Sequence, residues 1–217
     1  MEKGELLKLM GESVLKGDRE KTDLLVKQAI EDNINSSLIL DEGLVPGIQK
    51  AGDMFEEGEY FLPELIISAE AMKSAIEILT PVMQAEGVSR KTLGRIVIGT
   101  VEGDIHDIGK TLVGVMLSTA GFEVKDLGAS VPINKFIDEA ISFKSDFLCA
   151  SALLTTTMVG QKKIIELLKE RGIRDKIKVL VGGAPVSQRW ADEIGADGFG
   201  QNAVAAVKTA KRLVGVT

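Results

Sequence analysis

The sequence predicts an α/β protein in two parts: a four-helix bundle, then a doubly wound parallel sheet of five strands with flavodoxin-like, Rossmann-type topology. Three observations carry this prediction. Up to about residue 88, apolar residues recur only at helical spacing. From Gly94 onward, strand-like apolar runs alternate with helical patterns five times over. Between the two regimes lies a polar stretch, residues 85–93, containing Gly87, Ser89, Arg90 and Lys91, with the composition of a linker. The expected domains are therefore 1–88 and 89–217.

In the first part, segments 6–15, 20–32, 37–57 and 63–84 each place apolar residues three and four apart, the spacing of one helix face. Pro63 suits a first helical turn, where its missing N–H leaves no bond unmade. Gly58-Glu59-Tyr60-Phe61-Leu62 separates the third segment from the fourth, and short connections favour a bundle. In the second part, strands are expected at 95–100, 123–127, 147–152, 178–181 and a short 198–200. Helices are expected at 108–120, 133–143, 158–171, 186–194 and 203–213. With strand order 2-1-3-4-5, the winding reverses between strands 1 and 3, so the loops after those strands open on one crevice. Those loops are residues 104–109 and 151–157.

Composition narrows the function. Hydrophobic residues make up 45% of the 217 residues and charged ones 27%, enough for a packed core and too apolar for disorder. The formal net charge of −6, with no basic stripe to offset it, argues against a nucleic-acid partner. No apolar run reaches the ~18–20 residues of a membrane span. The start, Met1-Glu2-Lys3-Gly4-Glu5, lacks the apolar core of a secretory leader. The single cysteine, Cys149, cannot form an internal disulfide and suits a reducing cytoplasm. It lies in the apolar run Phe147-Leu148-Cys149-Ala150, so it reads as a core thiol rather than a nucleophile.

The chain has one histidine, His106, in Gly103-Asp104-Ile105-His106-Asp107-Ile108-Gly109-Lys110, between strand 1 and the next helix. An imidazole with a carboxylate two residues before it has the parts of an oriented metal ligand, because a ligating His normally gives its other ring N–H to an acceptor. The same residues also suit an ordinary hydrogen-bonded pair in a solvated loop. A phosphate loop is excluded. Gly109-Lys110-Thr111 resembles the end of one, but the position five before Gly109 is Asp104, and an acid there would repel a phosphate. The run Ser151-Ala152-Leu153-Leu154-Thr155-Thr156-Thr157 is rich in hydroxyls for the end of a buried strand. It reads either as ligand hydrogen-bonding groups or as capping of the following helix, chiefly by Thr157. Gly182-Gly183, after strand 4, reads as a close backbone approach or as a plain strand-end turn.

Asp104-x-His106-x-x-Gly109 resembles the Asp-x-His-x-x-Gly signature of the cobalamin-binding domains of methionine synthase and of the corrinoid proteins of methyltransferase systems. The family pattern continues with Ser-x-Leu, matched by Ser151-Ala152-Leu153, and with Gly-Gly, matched by Gly182-Gly183. In the helical part, the run from Gly52 through Phe55, Gly58 and Leu62 to Glu64 is similar to the family's cap segment, so the resemblance covers nearly the whole chain.

The resemblance implies a cobalamin or related corrinoid cofactor, bound base-off and His-on, with His106 as lower axial ligand of the cobalt. Asp104 would hold the other ring nitrogen. Thr157 matches the serine of methionine synthase's His-Asp-Ser relay, making Asp104 and Thr157 the proton-relay pair. Gly103, Ile105, Asp107 and Gly109 from the first loop would contact the cofactor. So would Ser151, Leu153 and Thr155 from the second, Gly182 and Gly183 after strand 4, and Ala203 in the turn Gln201-Asn202-Ala203. Phe55 and Leu62 match residues that cover the methyl face of the corrin, although periodicity alone makes them core residues. Asp41 lies near the position of a cofactor-contacting Glu. The implied function is a non-catalytic methyl carrier between a barrel-type substrate:corrinoid methyltransferase and a second methyltransferase acting on tetrahydrofolate or coenzyme M, with a reductive activation protein as further partner. The alternative is a cobalamin-dependent sensor or regulator, although no basic recognition helix of a DNA-binding version is visible. A mutase subunit is disfavoured by the cap segment.

Overall fold

The computed structural model describes residues 2–87 and 92–216. It divides into two compact units, Met1–Arg90 and Lys91–Thr217. The middle of the expected linker, residues 88–91, lies outside the described residues.

The first unit is helical: α1 Lys3–Leu15, α2 Arg19–Glu31, α3 Ser36–Leu38, α4 Val45–Glu56 and α5 Leu62–Ala85. Each inward face follows the apolar spacing, as in α1, which buries Leu6, Leu7, Met10 and Val14. Side chains fix the helix starts: Asp18 accepts the Lys21 N–H at 3.0 Å, and Glu64 accepts the Phe61 N–H at 3.0 Å. The third expected helix departs from regularity, because α3 and α4 are joined by a π-helical segment, Ile39–Leu44. Pro46 supplies a physical reason. Its ring has no N–H for the carbonyl four residues back and would collide with it, and a widened turn just before it removes the collision. Helices α1 and α4 cross at backbone contact, since a Cβ on Gly47 would lie 2.3 Å from the Gly11 carbonyl oxygen.

The second unit is a five-stranded, all-parallel sheet of order β2-β1-β3-β4-β5. Its strands are β1 Arg95–Thr100, β2 Glu123–Asp126, β3 Phe147–Ser151, β4 Lys178–Gly182 and β5 Gly198–Gly200. Between and after them run α6 Ile108–Thr119, α7 Ile133–Ser142, α8 Val159–Glu170, α9 Gln188–Ile194 and α10 Ala203–Leu213. One face packs Val97, Leu148 and Val179 against Phe136 of α7, Ile164 of α8 and Ala191 of α9. The other packs Ile96, Ile98 and Leu180 against Leu117 of α6 and Ala210 of α10. Burial on both faces is why these strands are apolar runs instead of alternating patterns.

β2 and β3 each end one residue before the expected apolar run, while β4 runs one residue beyond it. β3 stops at Ser151, yet Ala152 still donates its N–H to Gly182 O at 3.1 Å. β2 stops at Asp126, and Leu127 N–H still reaches Ile98 O at 2.8 Å. Helix α9 starts two residues late because Ser187 caps it, accepting the Trp190 N–H at 3.3 Å. Among the described residues, no helix is long and apolar enough to cross a membrane.

Candidate functional site

The register of the sheet builds the site. Thr100 at the end of β1 pairs with Ser151 at the end of β3, and Ser151 pairs with Gly182 at the end of β4. Three loops therefore leave the sheet side by side at the crevice the strand order requires.

Asp104 joins the first two. Its carboxylate is fully buried and accepts five hydrogen bonds. Oδ1 faces the His106 ring, 2.7 Å from Nδ1, and accepts the His106 backbone N–H at 3.1 Å. Oδ2 accepts the backbone N–H groups of Leu153 at 2.7 Å and Leu154 at 3.3 Å, and the Thr157 hydroxyl at 2.7 Å. Burial pushes this carboxyl up, but the hydrogen bonds from Thr157, the His106 ring and the Leu153 and His106 amides outweigh it. The group is held ionised, well below the usual carboxylate range.

An ionised carboxylate can only accept, so Nδ1 carries the ring proton and Nε2 keeps its lone pair. The His106 side chain is 48% exposed, and among the described residues Nε2 has no hydrogen-bond partner. The chain thus presents one oriented nitrogen donor. Among the described residues no three His, Cys, Asp or Glu side chains gather into a metal cage. A single imidazole fits a metal that arrives with its other ligands already in place.

The surroundings suit a large apolar ring. Ile105 is 77% exposed, Ile108 63%, Leu153 40% and Leu154 43%. Exposed apolar side chains on both loops flanking one imidazole form a ready contact surface. The Ser151 and Thr155 hydroxyls make no hydrogen bond within the described chain and are free for a ligand. Thr157 does not cap α8. Its hydroxyl goes to Asp104 and, at 2.8 Å, to Leu154 O, so the capping alternative is corrected. Gly103 and Asp107 are exposed on the first loop, and Gly109 has open space around it, with nothing within 4 Å of a Cβ built there. Gly183 has φ +122°, and a Cβ on it would lie 1.8 Å from Ala152 O, so it is a true close approach of two backbones. Ala203 is buried as the first residue of α10, behind Asn202, whose side chain caps that helix.

In the helical unit, Phe55 is half-buried near the end of α4, Leu62 is 46% exposed at the start of α5, and Asp41 is exposed on the π-helical segment. Periodicity had made Phe55 and Leu62 core residues, and neither is among the fully buried ones.

Some supports had no clear sequence signal. Ser130 donates its N–H to Asp104 O at 2.9 Å and accepts the Gly103 N–H on Oγ at 3.1 Å, bracing the first loop from behind. Lys110, buried in the first turn of α6, is held by both oxygens of Asp126 at 2.6 and 2.5 Å. Ile108 and Leu154 could have been found, as apolar residues in loops adjoining the motif.

Residues 94–208 match the family model described as a B12 binding domain, and residues 6–80 match a second model with that description. The chain is 47% identical over 214 residues to the dimethylamine corrinoid protein of Methanosarcina barkeri, covering 99% of this chain and 100% of that one. It is 44% identical to the trimethylamine corrinoid protein of the same organism, covering 99% of each. Among solved structures, it superposes on one chain of the crystal structure of the methanol:cobalamin methyltransferase complex MtaBC from Methanosarcina barkeri with a TM-score of 0.84 and 32% identity, covering 100% of this chain and 82% of that one. It also superposes on a cobalamin-binding protein from Desulfitobacterium hafniense DCB-2 with a TM-score of 0.74 and 30% identity, covering 95% and 97%. The chain belongs to the family of corrinoid proteins built from B12-binding domains.

Proposed function

We propose that this protein is a methyl carrier that binds a corrinoid base-off and His-on, through Nε2 of His106. The observation that carries the reading is the Asp104–His106 pair: a fully buried, ionised carboxylate 2.7 Å from Nδ1, leaving Nε2 a free donor on a half-exposed ring. When bound, the corrinoid supplies the cobalt that takes up and gives away the methyl group.

The chain's own residues have narrower tasks. Asp104 fixes the tautomer and the direction of the ring. Thr157 donates to Asp104 Oδ2 at 2.7 Å, so a proton drawn off or restored at His106 is felt through one continuous Nδ1–carboxylate–hydroxyl path. Ser151 and Thr155 offer hydroxyls to the cofactor's tail, and Gly109, with open space where a side chain would stand, lets it approach the backbone closely. The space left by Gly182 and Gly183 is instead taken by the Gly200 and Ala152 carbonyls, so their part is to hold the strand exits together. Phe55 and Leu62 in the helical domain, residues 1–88, serve to keep water from the reactive face. The cofactor belongs to residues 89–217.

The relatives named for dimethylamine and trimethylamine point to a methylated amine as the source, delivered by a substrate-specific methyltransferase of the barrel type. A second methyltransferase then passes the group to tetrahydrofolate or coenzyme M, and a reductive activation protein restores oxidised cofactor.

Protein reconstituted with cobalamin and reduced to the Co(II) form tests the ligand. Electron paramagnetic resonance should show splitting from an axial nitrogen, and His106→Gly should abolish it. A spectrum unchanged by that substitution would exclude His106.

A further inference from the structure

Gln161, on α8, is fully buried and its amide is satisfied on both ends. Nε2 donates to Ala150 O at 2.9 Å and to Gly182 O at 3.0 Å, and Oε1 accepts the Trp190 indole N–H at 2.9 Å. The two carbonyls stand on neighbouring strands, β3 and β4, close to where Ser151 pairs with Gly182 and the chain leaves the sheet. One residue farther on, Gly182 O also accepts the Ala152 N–H at 3.1 Å, and Gly183 presses on Ala152.

Few side chains could do this. The group must donate twice to acceptors on two strands and accept once behind them. Glu has no N–H, Asn is one methylene shorter, and Leu or Met would leave buried polar partners unmet. Trp190 decides the orientation of the amide. An indole N–H can only donate, so it must face the oxygen, and both amide hydrogens are thereby turned to the sheet. Helix α9 thus sets the amide, and the amide clamps the exits of β3 and β4.

We infer that Gln161, oriented by Trp190, is a positioning residue that sets the spacing of the β3 and β4 exits and so the fit of the corrinoid's lower nucleotide tail. The inference rests on the corrinoid reading above. It follows from placement: the unpaired hydroxyls of Ser151 and Thr155 and the backbone of Gly182 and Gly183 leave the sheet immediately beyond the clamp.

The test compares cobalamin with cobinamide, which has the corrin ring but no nucleotide tail, by equilibrium dialysis against the full chain. Wild type should prefer cobalamin. Gln161→Met should weaken cobalamin binding about tenfold, through misplaced groups at the β3 and β4 exits, while changing cobinamide binding by no more than about twofold. Trp190→Phe should shift the preference the same way by a smaller factor, and it decides the matter if Gln161→Met does not fold. Equal losses for both compounds, or no loss in either variant, would make the clamp merely structural and overturn the inference. A wild type indifferent to the tail would overturn it too. A wild type that binds neither compound refutes the corrinoid reading itself, and this inference with it.

Discussion

Replacing Asp104 with Asn keeps the shape of the side chain and removes its charge, and the structure says what should follow. One of the two carboxylate oxygens becomes an NH2 group. At the Oδ2 position it would face three donors, the N–H groups of Leu153 and Leu154 and the Thr157 hydroxyl. At the Oδ1 position it would face only two, the His106 backbone N–H and the His106 ring. The second placement strands fewer donors and should prevail. The ring then meets a donor at Nδ1, and it can relieve the clash by moving its proton to Nε2. Hydrogen bonds to a charged group contribute about 1.5–3 kcal/mol each, so the swing favours the wrong tautomer by roughly that much, or more than tenfold. Nε2 then lacks a lone pair, and corrinoid ligation should weaken about 10–100-fold, the usual effect of losing a partner behind a ligating histidine. Nitrogen-15 NMR of the imidazole measures this directly, because the chain has a single histidine and every ring signal is His106. Wild type should show a protonated Nδ1 and an unprotonated Nε2, and Asp104→Asn the reverse. A variant that kept its proton on Nδ1 would refute the claim that Asp104 sets the tautomer.

Two further outcomes separate ligand contacts from scaffold. Gly109→Ala meets nothing within 4 Å and lies in the first turn of α6, so the cofactor-free protein should melt slightly higher, by about 0.5–1 kcal/mol of helix stabilisation. Its corrinoid affinity should nonetheless fall at least about tenfold if the cofactor approaches that backbone, and calorimetric melting with dialysis reads both. Cys149 is buried and its thiol is pushed up to about 12, so it should resist alkylation until the protein unfolds. The neutral thiol's contribution is complete below the unfolded value of 9.0 and lost as pH rises from there toward 12, at up to about 1.4 kcal/mol per pH unit. Denaturant melts above pH 9 should therefore show a shallower loss for Cys149→Ala than for wild type, and parallel slopes would contradict the burial.

The sheet was legible because parallel strands buried on both faces must be continuous apolar runs, and the glycines and polar residues between them mark each exit. The π-helical segment Ile39–Leu44 was not, since its apolar residues still fall on one face; only the missing N–H of Pro46 hints at it. In the site, the His106 motif was visible, but its restraint was not. Three of the five donors to Asp104 come from residues 153, 154 and 157, about fifty positions away, and only the β1–β3 register brings them there. Gln161 carries no sequence signal, because its partners on β3, β4 and α9 are scattered along the chain.

The same contacts explain why so costly a group as a buried carboxylate sits here. Among the described residues, the one ionisable group bonded to it is the His106 ring. Asp104 is therefore stabilised mainly by oriented N–H and O–H dipoles, which stay fixed whatever happens to the ring. Three of those dipoles belong to the loop after β3, while the ring and the His106 amide belong to the loop after β1. The carboxylate cannot be satisfied unless both loops are in place, so the nitrogen donor becomes oriented only when the sheet is complete. A chain that must meet one ligand in one geometry gains from that coupling. In the unfolded chain the imidazole has no fixed tautomer or direction, and folding gives it both at once.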